Sequence, residues 1–313
     1  MKITFLDAKT VGDAGHVEVF EKLGDYTFYE TTSPEEVLGR IEECEIIITN
    51  KVPISREVMG KASQLRLICV AATGMNNVDL QAAEELGIKV KNVEDYSTHS
   101  VAQHTFAMLL SLLSRPAFHD HYVYSGQYSK HDIFTYLGAP FWQLQGRRMG
   151  IIGLGNIGKK VAQIAEAFEA EVVYYSSSGK NRHPQYQQLD LDELLSTSDV
   201  VSVHAPISEK TRHLITYDKI KRMKPDAILL NTGRGGIIKE DDLARATNER
   251  LIRAAGIDVY TQEPLPEDHP YLMVRHPERL LLTPHIAWAS RETRELLLQR
   301  VADNIRQFAQ GKN

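Results

Sequence analysis

Short runs of β-favouring apolar residues recur along the chain, and between them polar and apolar positions follow helical spacing. That alternation predicts parallel sheets covered by helices, the α/β class. In the N-terminal third the pattern predicts strands at 2–6, 26–29, 45–49, 67–70 and 88–90. One of the helices between them opens on Ser33-Pro34-Glu35-Glu36, where a Ser cap, a Pro at the first helical position and early acids satisfy free N–H groups. A second series follows Gly146, with strands at 148–152, 171–175, 199–203, 227–230, 253–257 and 280–282. Six strands with intervening helices suggest a doubly wound sheet. Apolar-rich helices at about 98–114 and 291–308 bracket this series and are expected to be the crossings between two domains. The expected organisation is therefore a discontinuous domain, 1–98 and 288–313, holding an inserted domain, 99–287.

The length of 313 residues agrees with two domains, at roughly 100 to 200 residues each. Lys and Arg total 36 against 41 Asp and Glu, a formal charge of −5, with no block of five like charges. This argues against nucleic acid or an anionic membrane surface as the main partner. Only two cysteines occur, Cys44 and Cys69, each in or beside an apolar run, which excludes a disulfide framework or a Cys-built zinc site. The opening residues reach Asp7 before a signal-peptide apolar region forms, and no stretch is apolar enough to span a bilayer, so a cytoplasmic protein is expected.

Candidate chemistry begins at Gly153-Leu154-Gly155-Asn156-Ile157-Gly158, a G-x-G-x-x-G set between a predicted strand and a predicted helix. The glycines allow a tight turn and close approach of a pyrophosphate, and the helix N-terminus supplies N–H groups for its phosphates. An acid is expected at the end of the following strand, to bind a ribose 2′-hydroxyl. That end reads Tyr175-Ser176-Ser177-Ser178-Gly179-Lys180-Asn181-Arg182, without a carboxylate. Ser hydroxyls with Lys180 or Arg182 suit a 2′-phosphate, so NAD or NADP is the expected cofactor, with a slight lean to NADP.

Farther on, Arg234 stands in the glycine-rich Asn231-Thr232-Gly233-Arg234-Gly235-Gly236, where its guanidinium suits two-pronged binding of a carboxylate. Glu263 and His285 follow at intervals of 29 and 22 residues. A carboxylate bonded to an imidazole raises its pKa and fixes its tautomer, which gives an acid–base group suited to carbonyl reduction. His99 and His104 read as helix-face residues, and their spacing does not suit a metal pair, so no metal site is expected. The aromatic-rich segment from Phe118 to Trp142 carries too few cations to be a nucleic-acid platform.

The ordered set Gly153 to Gly158, His204-Ala205-Pro206, Asn231 to Gly235, Asp258-Val259-Tyr260 with Glu263-Pro264, and Thr283-Pro284-His285 resembles the D-isomer-specific 2-hydroxyacid dehydrogenases over nearly the whole chain. The resemblance implies a Rossmann dinucleotide-binding domain inserted into a discontinuous flavodoxin-like substrate domain. It implies that Arg234 binds the substrate carboxylate and polarises the carbonyl, that His285 exchanges the proton, and that Glu263 orients and tunes His285. Asp258 is then expected beside the nicotinamide carboxamide, with Thr232, His204, Ala205 and Pro206 lining the cofactor cleft.

Within the family, Thr49-Asn50-Lys51-Val52-Pro53, Ala71 to Asp79 and His285-Ile286-Ala287-Trp288 look most like glycerate dehydrogenases, also called hydroxypyruvate reductases. Lys51, Thr73, Gly74, Met75 and Trp288 become candidate substrate-binding residues, with Gly74 and Met75 offering backbone N–H groups. Met75 departs from the small polar residue expected there. The expected reaction is hydride transfer between NAD(P)H and a small 2-oxo acid, hydroxypyruvate or glyoxylate being favoured, by a homodimer joined through the Phe118–Trp142 region. The alternative is a nucleotide-sensing, corepressor-like binding protein of the same fold. Such proteins usually carry added tails, and the sequence ends soon after its last predicted helix. A methyltransferase reading of the glycine loop leaves Arg234, Glu263 and His285 without a task.

Overall fold

The computed structural model describes residues 1–179 and 183–311. The chain forms two units, Met1–Ser97 with Ala289–Asn313, and Thr98–Trp288. Thr98 and Trp288 therefore both belong to the second unit, each one residue from the expected boundary. The helix Thr98–Ser114 lies wholly in the second unit and the helix Arg291–Ala309 wholly in the first.

In the first unit the strands are β1 (Lys2–Phe5), β2 (Asp25–Phe28), β3 (Ile46–Thr49), β4 (Leu67–Val70) and β5 (Lys89–Lys91). They form a parallel sheet in the order β2-β1-β3-β4-β5, the flavodoxin-like arrangement. Every residue of β3 and β4 is buried, because a parallel sheet packs helices on both faces and leaves its central strands no polar side. The helix Arg291–Ala309 buries Leu297, Leu298, Val301, Ala302 and Ile305, a stripe at helical spacing. Ser290 caps it, its Oγ accepting Thr293 N–H at 3.3 Å. The helix expected from Ser33 starts later, at Val37, and Ser33–Glu36 is a turn. There the Glu36 carboxylate reaches back to Ser33 N–H at 2.8 Å, and Ser33 makes no cap of its own.

Asp7, just past β1, is buried, and its carboxylate accepts N–H groups from Asn50, Lys51 and Val52 at 2.9, 2.7 and 3.3 Å. Burial pushes this carboxyl up from its ordinary value, against the pull of the three donors. The loop that carries Lys51 is held by these bonds.

The second unit contains β6 (Arg148–Ile152), β7 (Glu171–Tyr175), β8 (Gln187–Gln188), β9 (Val200–Val203), β10 (Ile228–Asn231), β11 (Ala254–Ile257) and β12 (Leu280–Leu282). The order is β12-β11-β10-β9-β6-β7-β8, all parallel. This is the Rossmann order with one strand added. The sequence pattern missed β8, since two exposed glutamines have no apolar period to reveal them and only their pairing with β7 makes them a strand. Along β10, Leu229 enters one core cluster while Ile228 and Leu230 enter the other, so both faces of the sheet are covered. The winding direction reverses between β6 and β9, and ligands of such sheets bind beyond the carboxyl ends of the strands at that point. Among the described residues no helix is long and apolar enough to cross a membrane.

Candidate active site

The glycine loop runs from β6 into the helix Asn156–Ala167. Gly153 has φ +94°, and a Cβ there would lie 2.6 Å from Ala205 N, so only glycine lets the loop meet the segment after β9. A Cβ on Gly158 would strike Gly153 O at 2.3 Å, which explains the third glycine as a close packing contact. Gly155 differs, because a Cβ there would meet nothing within 4 Å. It caps the helix without a side chain, and no acid occupies the first turn. An open face, free of negative charge, at a helix N-terminus fits a dinucleotide pyrophosphate.

His204, Ala205 and Pro206 follow β9 beside this loop. Thr105 Oγ1 donates to Val101 O at 2.8 Å, so Thr232 Oγ1 donates to Thr105 at 3.0 Å and accepts from His204 Nδ1 at 3.4 Å. His204 Nε2 is then left to accept from Ser202 Oγ at 2.8 Å. Burial pushes the His204 imidazole down to about 3, which keeps it neutral. Its tautomer is fixed, and both ring nitrogens are occupied.

Ser176 Oγ, after β7, accepts Gly179 N–H at 3.1 Å and shapes a turn. Ser177 adjoins it, half-buried. Lys180 and Arg182 lie outside the described residues.

Arg234 follows β10 in a loop tied at both ends by the buried Asn231 side chain. Asn231 Nδ2 donates to Arg234 O at 2.9 Å, and its Oδ1 accepts Gly233 N–H at 3.1 Å. The guanidinium Nη1 donates to Gly233 O at 2.8 Å. A Cβ on Gly235 would lie 1.9 Å from Tyr260 O, so this loop touches the segment that leads to Glu263.

Glu263 and His285 are brought into direct contact, His285 Nδ1–H donating to Glu263 Oε2 at 2.7 Å. Glu263 Oε1 accepts Tyr260 N–H at 2.9 Å, which orients the carboxylate. His285 adopts φ +54°, a left-handed conformation that costs a non-glycine residue about 1–3 kcal/mol. Asp258, expected beside the nicotinamide, holds this strained segment. It is 0% exposed, and its oxygens accept Thr283 Oγ1–H at 2.6 Å, Ile286 N–H at 2.9 Å and Ala287 N–H at 3.0 Å. Ser100 Oγ donates to Ala287 O at 2.7 Å, and His104 Nε2 donates to Thr283 Oγ1 at 3.1 Å. Sequence reasoning assigned no role in this site to Ser100 or Thr283 and read His104 as a helix-face residue. Ser100 and His104 meet partners some 180 residues away, so no local signal marks them, and Thr283 is visible only as a member of the Thr283-Pro284-His285 set.

The substrate-side candidates of the first unit sit on its loops. Thr73 Oγ1 donates to Val93 O at 3.0 Å and Thr73 O accepts from Asn92 Nδ2 at 2.7 Å, while Met75 packs against the core of that unit. Gly74 is half-buried between them. The Lys51 side chain is exposed, and Trp288 is half-buried. Among the described residues no group of His, Cys, Asp and Glu is arranged to hold a metal.

The family described as D-isomer specific 2-hydroxyacid dehydrogenase, NAD binding domain, matches residues 106–287. A hydroxypyruvate reductase of Blautia hydrogenotrophica is 37% identical, covering 99% of this chain and 98% of the relative. A glycerate dehydrogenase of Methylorubrum extorquens is 36% identical over 99% of this chain and 97% of the relative. The crystal structure of a D-lactate dehydrogenase from Aquifex aeolicus, complexed with NAD and lactic acid, superposes with a TM-score of 0.85 at 26% identity, covering 99% of this chain and 96% of that one. The chain belongs to the D-isomer-specific 2-hydroxyacid dehydrogenases and carries their NAD-binding domain.

Proposed function

We propose that the protein reduces a small 2-oxo acid to the D-2-hydroxy acid with NAD(P)H, hydroxypyruvate or glyoxylate being the favoured substrate. The observation that carries this reading is the 2.7 Å contact of Glu263 with His285 in the family's NAD-binding domain. The full-length relatives named hydroxypyruvate reductase and glycerate dehydrogenase support the substrate class.

NAD(P)H supplies the hydride when bound, held by Gly153, Gly155, Asn156, Ile157 and Gly158 at the helix N-terminus, with His204, Ala205, Pro206 and Thr232 lining the cleft. Arg234 grips the substrate carboxylate and stabilises the oxyanion that develops on the carbonyl. Protonated His285 delivers the proton to that oxygen through Nε2, because Nδ1 is committed to Glu263. Glu263 stabilises the imidazolium, and Asp258 keeps the His285 segment in its strained conformation. By the family resemblance, Gly74 and Met75 offer backbone N–H groups to the substrate, and Lys51, Thr73 and Trp288 are further substrate-binding residues.

Glu263→Gln tests the acid–base pair. Reduction draws a proton from His285, and loss of the carboxylate destabilises the imidazolium, so the fall of kcat with rising pH moves to lower pH. A profile identical to that of the parent protein refutes the pairing.

Ser176 and Ser177 are proposed to meet the 2′ position of the cofactor, with Lys180, and to favour NADPH slightly. Ser176→Asp sets a negative charge against a 2′-phosphate and gives NADH a strong acceptor. The NADPH-over-NADH ratio of kcat/KM then falls at least about tenfold, near 1.4 kcal/mol. If the parent protein prefers NADH and the variant keeps the same ratio, this loop does not read the 2′ position.

A homodimer is proposed through the Phe118–Trp142 region. The helix Pro116–Tyr124 buries none of its residues, and Phe134, Leu137 and Phe141 are 89%, 76% and 61% exposed, an apolar face suited to a second copy.

A further inference from the structure

Behind the Glu263–His285 pair, two consecutive backbone N–H groups are held by two different glutamates. Tyr260 N–H donates to Glu263 Oε1 at 2.9 Å, and Thr261 N–H donates to Glu240 Oε1 at 2.8 Å. Each glutamate meets a histidine through its other oxygen, Glu263 with His285 at 2.7 Å and Glu240 with His269 at 3.2 Å. His269 is 6% exposed, and its Nδ1 accepts Tyr271 N–H at 3.2 Å, which leaves the proton on Nε2 to donate to Glu240. The His269 ring packs edge-on against Tyr260 and Tyr271, and Tyr260 Oη donates to Thr283 O at 2.9 Å, two residues before His285. The Glu240–His269 pair thus sits under the segment that leads to Glu263.

We infer that Glu240 and His269 are positioning residues for the acid–base pair, setting through Thr261 N–H the path of residues 260–263 and hence the hold of Glu263 on His285. This rests on the proposed role of Glu263 and His285. A carboxylate is needed at Glu240 because it must accept from both Thr261 N–H and His269 Nε2–H. An amide has one acceptor oxygen and would face one of these donors with a donor of its own. The other ionisable groups facing the cluster are Asp258, Asp241, Tyr260 and Tyr271, while Lys239 is paired with Asp242 at 3.1 Å. Burial pushes Tyr260 up to about 12 and Tyr271 well above its ordinary value, so both phenols stay neutral and add no charge to the cluster.

The test is the kcat–pH profile for 2-oxo acid reduction by Glu240→Gln, His269→Asn, Glu263→Gln and the Glu240→Gln/Glu263→Gln double variant. His269→Asn keeps an acceptor for Tyr271 N–H while removing the reach to Glu240 and the ring contacts with Tyr260 and Tyr271, so it carries the test if Glu240→Gln does not fold. Each single change at Glu240 or His269 is expected to lower kcat between about twofold and tenfold, the lower part of the range of coupling within one hydrogen-bond network. KM for the cofactor stays within about twofold, since the pair acts behind the proton donor and not at the dinucleotide. The descending limb moves to lower pH, by less than in Glu263→Gln, and the Glu240→Gln effect disappears in the Glu263→Gln background. Loss of thermal stability alone, or effects on kcat that multiply independently in the double variant, overturn the inference. If Glu263→Gln leaves the limb in place, the acid–base reading itself fails. If Glu263→Gln moves it and the other two do not, only the positioning role is lost.

Discussion

His285→Ala lowers kcat by about a hundredfold or more while cofactor binding survives, the usual scale for removal of a positioned general acid. The fold at this point does not depend on the imidazole. Asp258 holds the segment through Thr283 Oγ1 and the N–H groups of Ile286 and Ala287, and all three bonds remain in the variant. The left-handed backbone at 285 is the one confounding strain, and His285→Asn controls for it because Asn tolerates that conformation. Both variants fall to the same residual rate if the lost proton donor is the cause. Tight NAD(P)H binding, followed by fluorescence, together with a kcat near that of the parent protein removes His285 from the chemistry.

Arg234→Lys costs on the order of 1–3 kcal/mol in transition-state binding, with both KM and kcat worsened. The guanidinium spends one N–H on Gly233 O and retains a planar fork for a carboxylate, whereas an ammonium is a point charge without that geometry. The Asn231 side chain bonds backbone atoms of Gly233 and Arg234, and these bonds persist in the variant, so the loop keeps its path. Steady-state kinetics with hydroxypyruvate measure the loss, and a near-normal kcat/KM takes Arg234 out of the site.

What was readable in the sequence is what local pattern encodes. Strands such as β4 and β6, and the helix Thr98–Ser114, have the bounds their apolar runs predict, because burial on both faces leaves an unbroken signature. Gly153 and Gly158 were visible as a spacing, and the clashes a Cβ would meet there give the spacing its cause. The turn at Ser33–Glu36 imitates a helix start, and only the backbone distinguishes the two. The supports of the candidate site were illegible for a different reason. Asp258 reaches residues 283 to 287, and Glu240 reaches Thr261 and His269, so their partners are set by the order of strands in the sheet and not by neighbours in the chain. Met75 read as a departure in a substrate loop, and its packing against the first unit's core shows an apolar contact that a spacing motif does not contain.

The most direct measurement is the stoichiometry and configuration of the product when the protein is mixed with NAD(P)H and hydroxypyruvate, glyoxylate or another small 2-oxo acid. Loss of absorbance at the reduced-nicotinamide band, matched mole for mole by D-glycerate from hydroxypyruvate, is the predicted result. Cofactor binding without oxidation on any 2-oxo acid, or a product of the L configuration, contradicts it.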